Sequence, residues 1–209
     1  MPEQTVAPFQ FGAEDVEVES RETLYKGFFG MERLRLRHAR FAGGYTDVFD
    51  REIFQRGDAT CVLPYDPVRD EVVLLEQFRP GALGRNQSPW LLELVAGMDE
   101  PGETPEDVAN REAEEEAGLT FRRLEKICHY LVSPGGTTEM VSLFCGHVDA
   151  SGAGGLHGIE AEHEDIRAHV MAADEALRMI TDGRINNAAA IIALQWLAMQ
   201  RPRLKQEWS

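Results

Sequence analysis

Residues 97–119 read GMDEPGETPEDVANREAEEEAGL, a stretch that dictates a loop running into a short, firmly terminated helix. Thr104 can cap the helix start and Pro105 suits the first helical position, where its missing N–H is no loss. Glu106 and Asp107 suit the positive end of the helix dipole, and Gly118 suits the left-handed residue that stops a helix. Ala109, Ala113 and Ala117 form a small-residue stripe fit to lie close against a sheet. Glu112, Glu115 and Glu116 are three and four apart and share one face. Like charges at that spacing cost a few tenths of a kcal/mol each in an isolated helix. Such a face is either solvated or holds a divalent cation between its carboxylates, and hard oxygen ligands point to Mg²⁺, or to Mn²⁺.

The remaining pattern alternates between strand and turn. Val16–Ser20, residues 31–41 and 45–54 read as a small antiparallel sheet, and the texture changes near Arg56–Gly57. Beyond it, ATCVLPYD and EVVLLEQF form a hairpin about Pro67 and Asp70, and GALGRNQSP is a loop before WLLELVAG. KICHYLVS and TEMVSLFCGHV are strands split by the turn PGGT; SGAGGLHG is a loop and DIRAHVM a strand. ADEALRMITDG is an amphipathic helix, and NNAAAIIALQWLAMQ is a second, capped at Asn186 or Asn187 and apolar enough to be buried. This order predicts an α+β fold with helices on a sheet, divided into an N-terminal β domain over residues 1–56 and a larger domain over residues 57–209.

Composition narrows the partners. Apolar residues make up 43% of 209, enough for a sizeable core, and the net charge is −15. That charge disfavours nucleic acid and anionic membrane as partners. Cys61, Cys128 and Cys145 have no metal-type spacing and read as buried thiols in a reducing cytoplasm. The N-terminal residues lack the pattern of a signal peptide, and the apolar run AAAIIAL is too short to span a bilayer.

The spacing G-x5-E-x7-R-E-U-x-E-E-x-G-U, with U apolar, is met by Gly97, Glu103, Arg111, Glu112, Ala113, Glu115, Glu116, Gly118 and Leu119. A chance match has odds on the order of 10⁻⁶ at average residue frequencies. The segment resembles the Nudix box, the metal-binding helix of enzymes that hydrolyse a diphosphate linked to another moiety. The resemblance implies an α/β/α sandwich plus the small N-terminal antiparallel β domain. From TLYKGFF to the ALQW…EWS end the chain is similar to the bacterial ADP-ribose pyrophosphatases of that family.

Hydrolysis of a diphosphate needs charge neutralisation, a positioned water and a base. The segment IEAEHEDIR gathers Glu160, Glu162, Glu164 and Asp165 after a glycine-rich stretch, and reads either as a solvated acidic loop or as the source of the base. On the resemblance, Glu162 is the general base, and Glu112, Glu116, Glu164 and the Ala96 carbonyl hold the metal. Glu103 and Glu115 stand behind them, and Arg111 ties the helix to its loop. Pro134 lies 15 positions after Leu119, the mark of ADP-ribose hydrolases within the family, in a turn Ser133–Pro134–Gly135 that lines the pocket with Glu139 nearby.

So acidic a chain needs local cations for an anionic substrate, and Arg51, Arg56 and Arg79 can supply guanidinium forks. Phe28 and Phe29 either stack adenine or belong to the N-domain core. The resemblance places these five with Glu52 and Met98 around ADP-ribose or a related ADP-sugar, and implies a homodimer with exchanged N-terminal domains. Two alternatives stay open: a Nudix hydrolase of another nucleotide sugar such as GDP-mannose, and a non-catalytic ADP-ribose sensor.

Overall fold

The computed structural model describes residues 9–85, 88–159, 161 and 163–208. By its internal contacts the chain divides into two compact units: Met1–Arg56 with Ser133–Glu139, and Gly57–Val132 with Met140–Ser209.

The first unit is a three-stranded antiparallel sheet of β1 (Val16–Lys26), β2 (Gly30–His38) and β3 (Phe49–Gln55) in that order. Strand β1 continues past Ser20, where the sequence reading stopped, because Arg21 and Glu22 meet Glu32 and Arg33 across the ladder at 2.5 and 3.2 Å. Opposite charges facing each other across two strands, as Glu22 and Arg33 do, or set diagonally, as Arg21 and Glu32 are, favour pairing that the apolar alternation alone does not signal. The segment Ser133–Glu139, read as part of the larger domain, instead joins this unit. The Phe54 N–H donates to the Gly136 carbonyl at 2.8 Å, and the Thr138 N–H donates to the Phe54 carbonyl at 3.3 Å. This is a long-range backbone pairing, which local pattern cannot reveal.

The second unit comprises β4 (Ala59–Asp66), β5 (Glu71–Phe78), β6 (Trp90–Glu93), β7 (Val95–Met98), α1 (Pro105–Ala117), β8 (Arg123–Leu131), β9 (Met140–His147), β10 (Gly155–His157), β11 (Ile166–Ala172), α2 (Ala173–Thr181) and α3 (Ala188–Trp208). The sheet runs β10-β11-β5-β4-β9-β8, with β6 on β5 and β7 on β4. Among the described strand pairs of this sheet only β4–β9 is parallel, so the sheet is mixed. Every residue of β4 is buried, as expected of a central strand covered on both faces.

Alternation along the strands sorts the core into two layers. Val62, Val73, Leu75, Val95, Phe144 and Ile166 face α1, where Ala109, Ala113 and Ala117 lie against them. Cys61, Leu63, Tyr65, Leu74 and Leu143 face α2 and α3, meeting Ala176, Met179, Leu194, Leu197, Leu204 and Trp208. The result is an α+β fold whose larger unit is an α/β/α sandwich, with a small N-terminal antiparallel sheet.

Three details depart from the sequence reading. WLLELVAG is two short strands broken at Leu94, and the glycine-rich loop contains β10. Helix α3 is capped by Asn187, whose Oδ1 accepts from the Ala190 N–H at 3.1 Å, but it continues beyond Gln200 through Pro202. A proline inside a helix removes one hydrogen bond. Burial of Leu204 and Trp208, and the hold of Arg203 on Glu125 at 2.5 Å, offset that loss.

Candidate active site

Helix α1 begins with a reciprocal cap. The Asp107 N–H donates to Thr104 Oγ1 at 3.2 Å, and the Thr104 N–H donates to the Asp107 carboxylate at 3.0 Å. Gly118 ends the helix in the left-handed region, at φ 61°. Between these ends the alanine stripe lets the helix settle on β7 and β4. The approach is so close that a Cβ on Gly97 would stand 1.8 Å from a Glu112 carboxylate oxygen. Glycine at the head of the segment is therefore a spatial requirement: Glu112 lies across the bare backbone.

Two carboxylates, Glu112 and Glu116, lie against that backbone, and the charge of a third, Glu164, acts on both. Glu116 is 2% exposed, and its Oε2 accepts from the Ala96 N–H at 2.9 Å. Burial pushes its carboxyl up to about 8; the Ala96 N–H opposes the rise, the charges of Glu112 and Glu164 add to it, and Arg79 opposes it. Glu112 is also raised, first by burial; Arg111 at 2.6 Å opposes, and Glu115 and Glu164 reinforce. Arg111 grips Glu103 through two hydrogen bonds of 3.1 Å and reaches Glu115 at 3.4 Å, fastening the helix to the preceding loop.

Glu164 is delivered by the segment before β11. Its carboxylate accepts from the Ile159 N–H at 3.4 Å and its own N–H donates to the Ile159 carbonyl at 3.3 Å. Gly158, at φ 101°, is required there, since a Cβ would stand 2.8 Å from the Glu164 carbonyl oxygen. Glu162, expected as the base, and its neighbour Glu160 lie outside the described residues. Met98 ends β7, and Arg79 follows β5 with its Nε donating to Glu93 at 2.6 Å.

Among the described residues no three His, Cys, Asp or Glu side chains stand close enough together to hold a metal ion by themselves. The donor set nonetheless fits a hard divalent cation. A buried carboxyl whose ionised form is opposed by neighbouring negative charge is stabilised as a carboxylate by a cation placed among them. Glu93, paired with Arg79, was missed in the sequence; its signal was its inward position in a short strand opposite Leu75.

In the first unit, Phe28 packs edge-on to Phe29 with centroids 4.7 Å apart, and Phe29 to Phe54 at 5.2 Å. The Arg56 guanidinium lies over the Phe29 ring at 5.5 Å and pairs with buried Glu139 at 3.3 Å. Phe28 is 85% exposed and borders a pocket of ≈ 320 Å³ with Phe29, Tyr25 and Gln55. Ser133, Pro134 and Gly135 form the exposed turn preceding Glu139. Arg51 stands apart from this group, over the Phe49 ring at 4.5 Å, and Glu52 projects on the other side of β3 toward Arg33 at 3.9 Å.

A mixed sandwich with a capped helix laid over a glycine, and with the carboxyls of Glu112 and Glu116 drawn into its surface, defines the class of site. Residues 55–194 match the NUDIX domain, and the chain belongs to that family. It is 52% identical to the ADP-ribose pyrophosphatase of Escherichia coli (strain K12) over 202 residues, covering 97% of each chain. It is 45% identical to the ADP-ribose pyrophosphatase of Haemophilus influenzae, covering 95% of this chain and 93% of that one. A GDP-mannose pyrophosphatase of Pectobacterium atrosepticum is 37% identical but spans only 69% of this chain and 75% of its own length. Among solved structures, an ADP compounds hydrolase superimposes with a TM-score of 0.67 at 20% identity, covering 89% of this chain and 96% of that one, a likeness of fold.

Proposed function

We propose that this chain hydrolyses the diphosphate of ADP-ribose to AMP and ribose 5-phosphate, with Mg²⁺ as its cation and Mn²⁺ as a substitute. The observation that carries this reading is Glu112 laid over the bare backbone of Gly97, with Glu116 on the Ala96 N–H and the charge of Glu164 acting on both, in a chain matching ADP-ribose pyrophosphatases over nearly its whole length. The cation, when bound, neutralises charge on the diphosphate oxygens. Glu112, Glu116, Glu164 and the Ala96 carbonyl hold it. Glu162 takes the proton of the attacking water; the water oxygen bonds to one phosphorus, and the bond from that phosphorus to the bridging oxygen breaks.

Substrate selection falls to Phe28, Phe29, Arg51, Glu52, Arg56, Arg79, Met98, Glu139 and the turn Ser133–Pro134–Gly135. The protein works in the cytoplasm as a homodimer that exchanges its N-terminal domains. No described helix is long and apolar enough to cross a membrane. Turnover of ADP-ribose with Mg²⁺, measured beside GDP-mannose and ADP-glucose, tests the reading; preference for GDP-mannose, or turnover of none, defeats it. Glu162→Gln is expected to keep substrate affinity and lose turnover by about 10²-fold or more. Unchanged turnover removes Glu162 from the mechanism.

A further inference from the structure

Gln77 is a buried polar side chain on the α1 face that the proposed reaction leaves unused. It occupies the inward position of β5 after Val73 and Leu75, both fully buried. Leu91 of β6 lies opposite it. On the other side, one step along the register that pairs Arg167 with Glu76, stands Ile166 of β11, another member of the α1-side core. Gln77 is 6% exposed, and its Nε2 is buried with no hydrogen-bond partner. Native proteins leave few buried donors unpaired, so each one asks for an acceptor.

The carboxylates of this region already have donors. Glu93 accepts from Arg79, Glu116 from the Ala96 N–H and Glu112 from Arg111. Glu164 is held most weakly, by the 3.4 Å contact from the Ile159 N–H. It precedes Ile166 by two residues, and its charge is felt at both Glu112 and Glu116. Nε2 is sealed from solvent and finds no acceptor among the protein groups as they stand.

We propose that Gln77 is a positioning residue whose Nε2 donates to the Glu164 carboxylate when the cation is bound, holding that carboxylate toward the site. The inference rests on the reading of Glu164 as a cation ligand. The test is Mn²⁺ titration of the whole chain without substrate, followed by the electron paramagnetic resonance of free Mn²⁺. Gln77→Met is expected to weaken Mn²⁺ binding roughly 10-fold or more, as loss of a partner behind a metal ligand does. It is also expected to leave the metal-free melting temperature unchanged or higher, because an unpaired buried donor is gone. In a Glu164→Ala background the same substitution adds no further loss.

Unchanged Mn²⁺ affinity in Gln77→Met, or a loss that adds in full to that of Glu164→Ala, overturns the proposal. So does a lowered metal-free melting temperature, which marks a packing role; Gln77→Leu repeats the test if Gln77→Met misfolds. If Glu164→Ala binds Mn²⁺ like the wild type while Glu112→Gln does not, Glu164 is no ligand and the inference falls with it. If Glu164→Ala weakens binding and Gln77→Met does not, the metal reading survives and only the role of Gln77 is lost.

Discussion

The two faces of the large sheet bury carboxylates to opposite ends. On the α2–α3 face, burial pushes Asp70 up, but hydrogen bonds from Arg201, Lys205 and Tyr65 outweigh it and hold its carboxyl at about 2. Arg201 Nε reaches it at 2.7 Å, Lys205 at 2.7 Å and the Tyr65 hydroxyl at 2.8 Å. On the α1 face, Glu116 has one backbone donor and acidic neighbours, and stands at about 8. A carboxylate surrounded by donors is structural. One surrounded by other carboxylates is left wanting positive charge, and a site that takes a cation is built that way.

The largest expected effect breaks the comparison on the α1 side. If Glu116 holds the cation as proposed, Glu116→Gln is expected to lower turnover of ADP-ribose about 10²-fold or more. It leaves the metal-free protein as stable as before or more so, because the buried carboxyl is already held neutral at pH 7. Steady-state kinetics beside calorimetric melting would check both halves; equal activity would place the cation elsewhere.

A smaller effect separates the faces by pH. For Glu116 the folded value of about 8 exceeds the ordinary 4.5, so the folded state holds the proton more tightly. Its contribution is full below pH 4.5 and lost as pH rises through about 8, a change of a few kcal/mol. For Asp70 the folded value of about 2 lies below the ordinary 3.8. Its contribution is present above pH 3.8 and lost as pH falls toward about 2, on the order of 2 kcal/mol. Denaturant unfolding of the metal-free protein across this range reads both slopes. Glu116→Gln flattens the alkaline one alone, and added Mg²⁺ opposes it.

Asp70→Asn attacks the other face. It is expected to destabilise the fold by about 2 kcal/mol, with the loss confined to stability and turnover within about two-fold of wild type. A large loss of turnover at unchanged stability would erase the distinction between the faces. The smallest effect is local: Thr104→Ala removes the helix cap and is expected to cost about 1 kcal/mol in thermal unfolding.

The legible parts of this molecule are those determined by near neighbours in the chain. The start of α1 at Thr104–Pro105, its stop at Gly118 and the shared face of Glu112 and Glu116 follow from spacing alone. The inward alternation of Val73, Leu75 and Gln77 was equally visible, and a glutamine in that row was a signal that went unread. By contrast, nothing in the strand pattern announced that Ser133–Glu139 would pair with β3 rather than stay with the domain on either side of it. That choice is made by backbone hydrogen bonds between residues about eighty positions apart.

By itself the sequence determined the helix, its carboxylates, the strand faces and the membership those spacings declare, because caps, glycine conformations and side-chain periodicity act within a few residues. Only the tertiary structure decided which carboxylate is driven up and which is held down, and that Glu112 lies over the bare backbone of Gly97. It also decided that Gln77 is left with a donor to spare. The physical reason is that burial and charge depend on distance in space, and the groups setting the environment of Glu116 come from β7, α1, the end of β5 and the segment before β11.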